Sequence, residues 1–185
     1  MLTADGLPIV EPMVEQDVRR LAIWSKRVLR PMAAELTMRV ALNNLESAET
    51  AFRETIFSVM PDNLTKNPGE GIMSPMDILV HITVTMTWQT IRLREIRTGE
   101  VSADDDLNIL FQGAGDKLYI QLLGGYITAW KYLISEAAIA SNVDQTSKHI
   151  WFGQLTPKEW IVSAAFHFDY HRTQIELFGD QSDVG

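Results

Sequence analysis

The chain has 185 residues, of which 46% are hydrophobic, and it contains 16 basic and 24 acidic residues. This length allows one domain with a sizeable core. The net charge of -8, without a basic cluster interleaved with aromatic residues, disfavours a nucleic-acid partner. The absence of cysteine excludes disulfides, thiolate ligands and a cysteine nucleophile. We expect a cytoplasmic protein with no membrane segment, because neither a secretory signal nor an apolar run approaching about 20 residues is visible.

Two amphipathic helices are predicted on either side of Pro31. The first covers residues 11–30 and should end or kink at the proline. The apolar positions on its face are Val14, Val18, Leu21 and Val28, with Ala22 and Leu29 beside them. The second covers about residues 32–59 and stops before Pro61. Its apolar stripe consists of Met38, Leu42, Leu45, Phe52, Ile56 and Val59.

The segment that follows the loop of residues 61–73 has features of both a strand and a helix. Over residues 80–88, apolar residues alternate with one histidine and three threonines, which is a strand pattern. Residues 74–77, however, read Ser-Pro-Met-Asp, a typical helix start, and Gly99 is a typical helix end. Because a lone strand would have nothing to pair with, we predict a helix over about 75–98.

A third bundle helix is predicted over about 116–141, after a long connection at residues 99–115. Gly124 and Gly125 lie in its middle and lower its helix propensity by about 1 kcal/mol each relative to alanine. A close approach of another helix would explain them. The positions predicted to be buried are Leu118, Leu122, Tyr126, Ala129, Leu133 and Ala137.

The last helix, from Thr156 to Phe178, follows a connection at residues 142–155 and has the clearest start signal. Thr156 can cap it, Pro157 fits the first position, and Glu159 can complete a capping box. One face of the helix contains Trp160, Ala164, His167, His171, Gln174 and Phe178. The opposite, solvated face is predicted to contain Glu159, Ser163, Tyr170, Thr173 and Glu176.

Three of the four histidines are predicted to point into one core. His81 shares a stripe of the 75–98 helix with Ile78, Thr85 and Trp88, and His167 and His171 lie one turn apart on the last helix. Inward imidazoles need partners, and a metal ion is one candidate. Core histidines bonded to hydroxyls or carboxylates are the alternative. We expect His149 to be a surface or loop residue, and consider Asp77 and Gln174 as hydrogen-bond partners of the ligand histidines.

The histidines and the two helix starts resemble the DinB-like (DinB/YfiT-like) family of four-helix bundles. The family pattern places one histidine early in the second bundle helix, after Ser-Pro, and this chain has Ser74, Pro75 and His81. A His-x-x-x-His pair on the fourth helix, after Thr-Pro-x-Glu-Trp, completes the pattern, and residues 156–160 with His167 and His171 match it. The resemblance covers about residues 32–179.

The resemblance implies a fold, a cofactor and a partner. The fold is an all-α, up-down-down-up four-helix bundle, here preceded by an additional N-terminal helix. This divides the chain into an extension at 1–31, the bundle at 32–179 and a tail at 180–185. The implied cofactor is a divalent metal, zinc or nickel, held by His81, His167 and His171, and the implied assembly is a homodimer.

The resemblance implies an activity only in outline. Some family members are thiol-dependent transferases or isomerases that use a low-molecular-weight thiol, and we expect this chemistry here. A non-catalytic metal-binding stress or interaction protein and a hydrolase that uses a metal-activated water are the two alternatives. The substrate is not indicated by any residue pattern.

Overall fold

A computed structural model of the chain is all-α apart from one small hairpin. It describes residues 15–66, 73–101 and 118–179, with side chains for 20–66, 73–101 and 118–176. The elements are α1 (Glu15–Trp24), a π-helical turn (Ser25–Leu29), α2 (Arg30–Glu35), α3 (Met38–Ser58), a 3-10 turn (Pro61–Asn63), α4 (Pro75–Thr98), α5 (Tyr119–Ala140), β1 (Ser147–His149), β2 (Gly153–Leu155) and α6 (Pro157–Gly179). The predicted 180–185 tail and most of the 99–115 connection lie outside the described residues.

Contacts between α3, α4, α5 and α6 define an up-down-down-up bundle. α4 and α5 run parallel, because Thr83 lies beside Gly125 and Arg97 pairs with Glu136 further along both helices. α3 and α6 also run parallel, since the Lys158 amine binds the Leu36 carbonyl just before α3, and Phe52 packs on Phe168 later in both. α4 runs antiparallel to α6, because His81 meets His167 and Trp88 meets Trp160. The predicted topology is confirmed.

The strand-like segment is the helix α4, and it begins and ends at the predicted signals. The Ser74 hydroxyl accepts a hydrogen bond from the Asp77 backbone N–H, while the Asp77 carboxylate accepts one from the Ser74 backbone. Gly99 ends the helix with a φ of 73°, in the left-handed region that glycine favours. α4 is buried on most of its sides because α5, α6 and the hairpin surround it, and such burial weakens the helical periodicity of its sequence.

Pro31 does not end the first helix, which was one of the two effects predicted for it, and the second helix does not begin at residue 32 as predicted. The helical segment continues through the π turn into α2, and α3 begins only at Met38, capped by Thr37. Proline removes one backbone donor and crowds the carbonyl four residues earlier. A π turn immediately before it widens the backbone at that carbonyl, so the chain stays helical as far as Glu35.

The π turn also changes which side chains of the N-terminal segment are buried. Burial recurs every four residues at Leu21, Ser25, Leu29 and Ala33. Val28, predicted to lie on the apolar face, is 40% exposed, because a wider turn rotates the later residues relative to a regular helix. The Val14 and Val18 side chains lie outside the described part. The segment packs on its own chain, as shown by Arg30, whose guanidinium donates to the carbonyl of Gln154 in β2 at 2.8 Å.

Two expectations for α5 are wrong. Leu118 is not buried: it precedes the helix and is 64% exposed, whereas the other five predicted positions are buried. The two glycines do not mark a forced close approach. A Cβ on Gly124 would meet nothing within 4 Å, and one on Gly125 would lie 3.8 Å from the Thr83 methyl, an ordinary contact.

The connection before α6 contains a β-hairpin that the sequence analysis did not predict. Its strands pair antiparallel, with His149 opposite Gly153, and Gly153 takes a φ of 77° at the turn. Ser147 and His149 are buried, and β1 contacts α4. The hairpin therefore covers the side of the bundle core where α6 begins.

Candidate metal centre

Three imidazole Nε2 atoms from two antiparallel helices converge in the bundle core. His81 Nε2 lies 3.1 Å from His167 Nε2, which lies 3.0 Å from His171 Nε2. Within the described residues, these three side chains form the one group of three or more whose ligand atoms could share an ion. The structure thus brings together the three histidines that the sequence singled out.

Helix capping and spacing fix these positions. His81 lies in the second turn after the capping box of α4, and the box of α6 forms as predicted, because Thr156 and Glu159 exchange hydrogen bonds at 2.8 and 3.3 Å. His167 and His171 are four residues apart, so their rings lie on one face with centroids 4.6 Å apart. The two capped starts therefore fix how many turns into its own helix each histidine lies, and the packing of α4 on α6 brings those turns together.

The protein environment keeps His167 and His171, the two histidines on α6, neutral. Burial lowers the pKa of His167 well below its ordinary value of 6.5, and repulsion from His81 and then His149 lowers it further. Burial also lowers the pKa of His171, with smaller contributions from His167 and His81, while the hydrogen bond to Gln174 opposes them. Both imidazoles are unprotonated at neutral pH, which is the form that binds metals.

Gln174 orients one of the three rings, as the sequence suggested. Its Oε1 lies 2.7 Å from His171 Nδ1, and its amide nitrogen donates to the Tyr170 hydroxyl at 3.1 Å. This network assigns the His171 proton to Nδ1, so its Nε2 lone pair faces the cluster. Asp77 takes part in the α4 cap, and its role as a partner of His81 stays a prediction.

The donor set fits a divalent metal ion. A zinc–nitrogen bond of about 2.0–2.1 Å places tetrahedral ligand nitrogens roughly 3.3–3.4 Å apart, close to the separations seen here. Converging lone pairs repel one another unless a proton or a cation lies between them, and one shared proton cannot serve three nitrogens. His81 and His171 are buried, and His167 is intermediate in exposure.

His149 is not a surface residue, contrary to expectation. It is 5% exposed and stacks on Phe152, with ring centroids 4.2 Å apart, and its ring also contacts the indoles of Trp88 and Trp160. Its Nδ1 accepts hydrogen bonds from the backbone N–H groups of Trp151 and Phe152. Burial lowers its pKa to about 3, and Arg92 contributes. It is a neutral core residue of the hairpin, outside the three-histidine group.

The predicted solvated face of α6 is only partly solvated. Thr173 and Glu176 are exposed, but Ser163 is buried, and Tyr170 is half-buried against the His171 ring at 4.9 Å. Burial raises the pKa of Tyr170 to about 12, so its hydroxyl is protonated at neutral pH. Tyr170 is predicted to be solvated because its helical position lies beside the histidine face and not on it. Phe178 lies outside the described side chains.

Comparisons with known proteins identify the fold and no more. The solved structure described as TT2238, a four-helix bundle protein, is similar to this chain with a TM-score of 0.62 and 23% identity. The match covers 76% of this chain and 99% of that one. The fold is therefore a four-helix bundle. No family model matches the chain, and neither does any curated protein.

Within the part of the chain that the structure describes, no helix is both long enough and apolar enough to cross a bilayer.

Proposed function

We propose that the chain is a divalent-metal-dependent enzyme of the DinB-like type, with His81, His167 and His171 as the ligands of a zinc or nickel ion. The observation that carries this proposal is the convergence of three Nε2 atoms, with separations of 3.0 and 3.1 Å, in a bundle core. The orientation of His171 by Gln174 supports it, since metal-bound histidines almost always donate their second N–H to a fixed acceptor. Imidazole ligands suit both metals.

A site with three protein ligands favours catalysis over a purely structural role. Structural zinc sites normally use four protein ligands, whereas catalytic sites keep a position for a small molecule. When bound, the ion supplies Lewis acidity, which lowers the pKa of a coordinated water or thiol.

The reaction that we propose is a thiol-dependent transfer or isomerisation. The chain contains no cysteine, so the thiol must be a separate low-molecular-weight compound. The histidines hold the ion that binds and orients the thiol, and the buried apolar residues around them exclude water. No protein nucleophile is required. A cytoplasmic location belongs to this proposal, because small thiols stay reduced there.

A non-catalytic metal-binding protein is the second candidate, favoured by the deep burial of His81 and His171, which are 5% and 1% exposed. A hydrolase that uses a metal-activated water is the third candidate, and in the described residues no carboxylate belongs to the group that could share an ion. Measured turnover of a substrate separates the catalytic proposals from the non-catalytic one.

Elemental analysis of the purified protein, followed by a screen with thiols and electrophilic substrates, tests the proposal. We expect about one divalent ion per chain in the wild type and in His149→Asn, and almost none in His171→Ala. Equal metal content in the wild type and His171→Ala would refute the metal site. Metal that depends on His171, without thiol-dependent turnover, would favour the non-catalytic reading.

A further inference from the structure

Thr85 carries a buried hydroxyl that the fold leaves without a partner. The residue is 9% exposed, and its Oγ1 makes no hydrogen bond within the described part of the chain. The other four threonines of α4 behave differently, since each donates to the carbonyl four residues earlier. These bonds run from Thr83 to Leu79, Thr87 to Thr83, Thr90 to Met86 and Thr98 to Arg94.

The position of Thr85 places this hydroxyl in the core layer next to the three histidines. It lies one helical turn after His81 on the same face of α4. Because α4 and α6 are antiparallel, the contacts of His81 with His167 and of Trp88 with Trp160 put Thr85 level with Ser163 and Ala164 of α6. Ala164 is apolar, and the Ser163 hydroxyl donates to the Trp160 carbonyl instead.

An unpartnered hydroxyl in this layer has a cost and no structural benefit. Burying a polar group without a hydrogen bond destabilises the folded state, and valine would fill the same volume without that penalty. A helical threonine can also satisfy itself on the carbonyl four residues earlier, as four neighbours do. Thr85 does not use the His81 carbonyl, so its donor remains available to something outside the fold.

We propose that Thr85 donates a hydrogen bond to the small ligand that completes the coordination of the ion held by His81, His167 and His171. This inference rests on the proposed function. It makes Thr85 a positioning residue that favours ligands whose coordinating atom can also accept a hydrogen bond. A thiolate, an oxyanion or azide keeps spare lone pairs on its coordinating atom, which can accept from Thr85. The coordinating nitrogen of imidazole has a single lone pair and keeps none to accept with.

Two exogenous ligands on the cobalt(II)-loaded protein test this selectivity without any substrate. Azide and imidazole are titrated separately, and their dissociation constants are read from the visible absorption of cobalt. In Thr85→Val we expect azide to bind about tenfold more weakly, as for the loss of a hydrogen bond to a charged group. Imidazole affinity should stay within about twofold of the wild-type value, and Thr85→Ser should restore azide binding.

Thr90→Val is the matched control. It removes an equally buried hydroxyl from the same helix, but one that is already bonded to the Met86 carbonyl, so azide affinity should not change. Thr85→Val should melt no lower than the wild type, because the substitution removes an unpartnered donor. This second measurement separates a specific effect from misfolding.

The outcomes distinguish this inference from the proposed function. Equal azide affinity in wild type and Thr85→Val, with cobalt bound to both, overturns the role of Thr85 alone. Equal weakening of azide and imidazole overturns it as well, since it indicates a disturbed metal site. A wild-type protein that binds no cobalt overturns both proposals together.

Discussion

His149 should make the folded protein sensitive to mild acid. Its pKa is lowered to about 3 in the folded state by burial, against an ordinary value of 6.5. A histidine whose pKa is lower in the folded than in the unfolded state contributes its full stabilisation when the pH is above its pKa in the unfolded state. That stability is lost as the pH falls from about 6.5 towards 3, because only the unfolded chain takes up the proton. Each pH unit in this window lowers the free energy of unfolding by about 1.4 kcal/mol.

Between pH 7 and pH 5, this single group should therefore contribute a loss of about 2 kcal/mol. The figure depends little on the exact folded pKa, provided that it lies well below 5. The informative variant is His149→Asn. Its side-chain oxygen can replace Nδ1 as acceptor for the backbone N–H groups of Trp151 and Phe152, but it does not titrate.

Urea unfolding at both pH values, with a chelator present, measures this contribution. The loss of ring stacking on Phe152 lowers the stability of the variant at either pH, so only the change between pH 7 and pH 5 is compared. We expect the wild type to lose about 2 kcal/mol more than His149→Asn. An equal loss in both proteins would show that His149 titrates normally in the folded state, and would refute the reasoning.

Three further predictions follow from other contacts. Gln174→Leu should lower metal affinity about 10- to 100-fold, because it removes the acceptor that orients His171, and competition with a chromophoric chelator measures this. Tyr126→Phe should lower the free energy of unfolding by about 1.5–3 kcal/mol in urea titrations, since the Tyr126 hydroxyl donates to the buried Glu49 carboxylate at 2.9 Å. Deleting residues 1–30 should cause aggregation or lower the melting temperature, because Leu29 and its buried neighbours cover the bundle, while the metal should remain bound.

The homodimer stays a prediction, and the exposed apolar side chains of α5 are where we expect its interface. The α1–α2 segment packs on its own chain through Arg30 and leaves less apolar surface for a partner there. α5 has four large apolar side chains more than 40% exposed: Ile120, Ile127, Tyr132 and Ile139. Light scattering of Ile127→Lys tests this face. A dimer unaffected by the substitution would place the interface elsewhere, and a monomeric wild type would end the prediction.

Local signals in the sequence were sufficient to predict the helices that hold the candidate site. Ser74 with Asp77, and Thr156 with Glu159, determine two helix starts through contacts within one turn of chain. Histidines at fixed distances from those starts then lie on predictable faces, which is why the cluster of His81, His167 and His171 could be predicted. Its use as a metal site is still to be tested. The parallel pairing of α4 and α5 followed only from the resemblance.

The tertiary structure alone decided the features that depend on distant neighbours. Pro31 normally ends a helix, yet a π turn and packing on β2 through Arg30 keep the segment helical. His149 reads as a loop residue, but aromatic rings from α4, α6 and its own hairpin bury it. Periodicity likewise places Thr85 on the inner face of α4, but cannot show that its hydroxyl ignores the nearby carbonyl. Residue spacing encodes the direction of a side chain, whereas its burial and hydrogen bonding depend on what the rest of the chain packs against it.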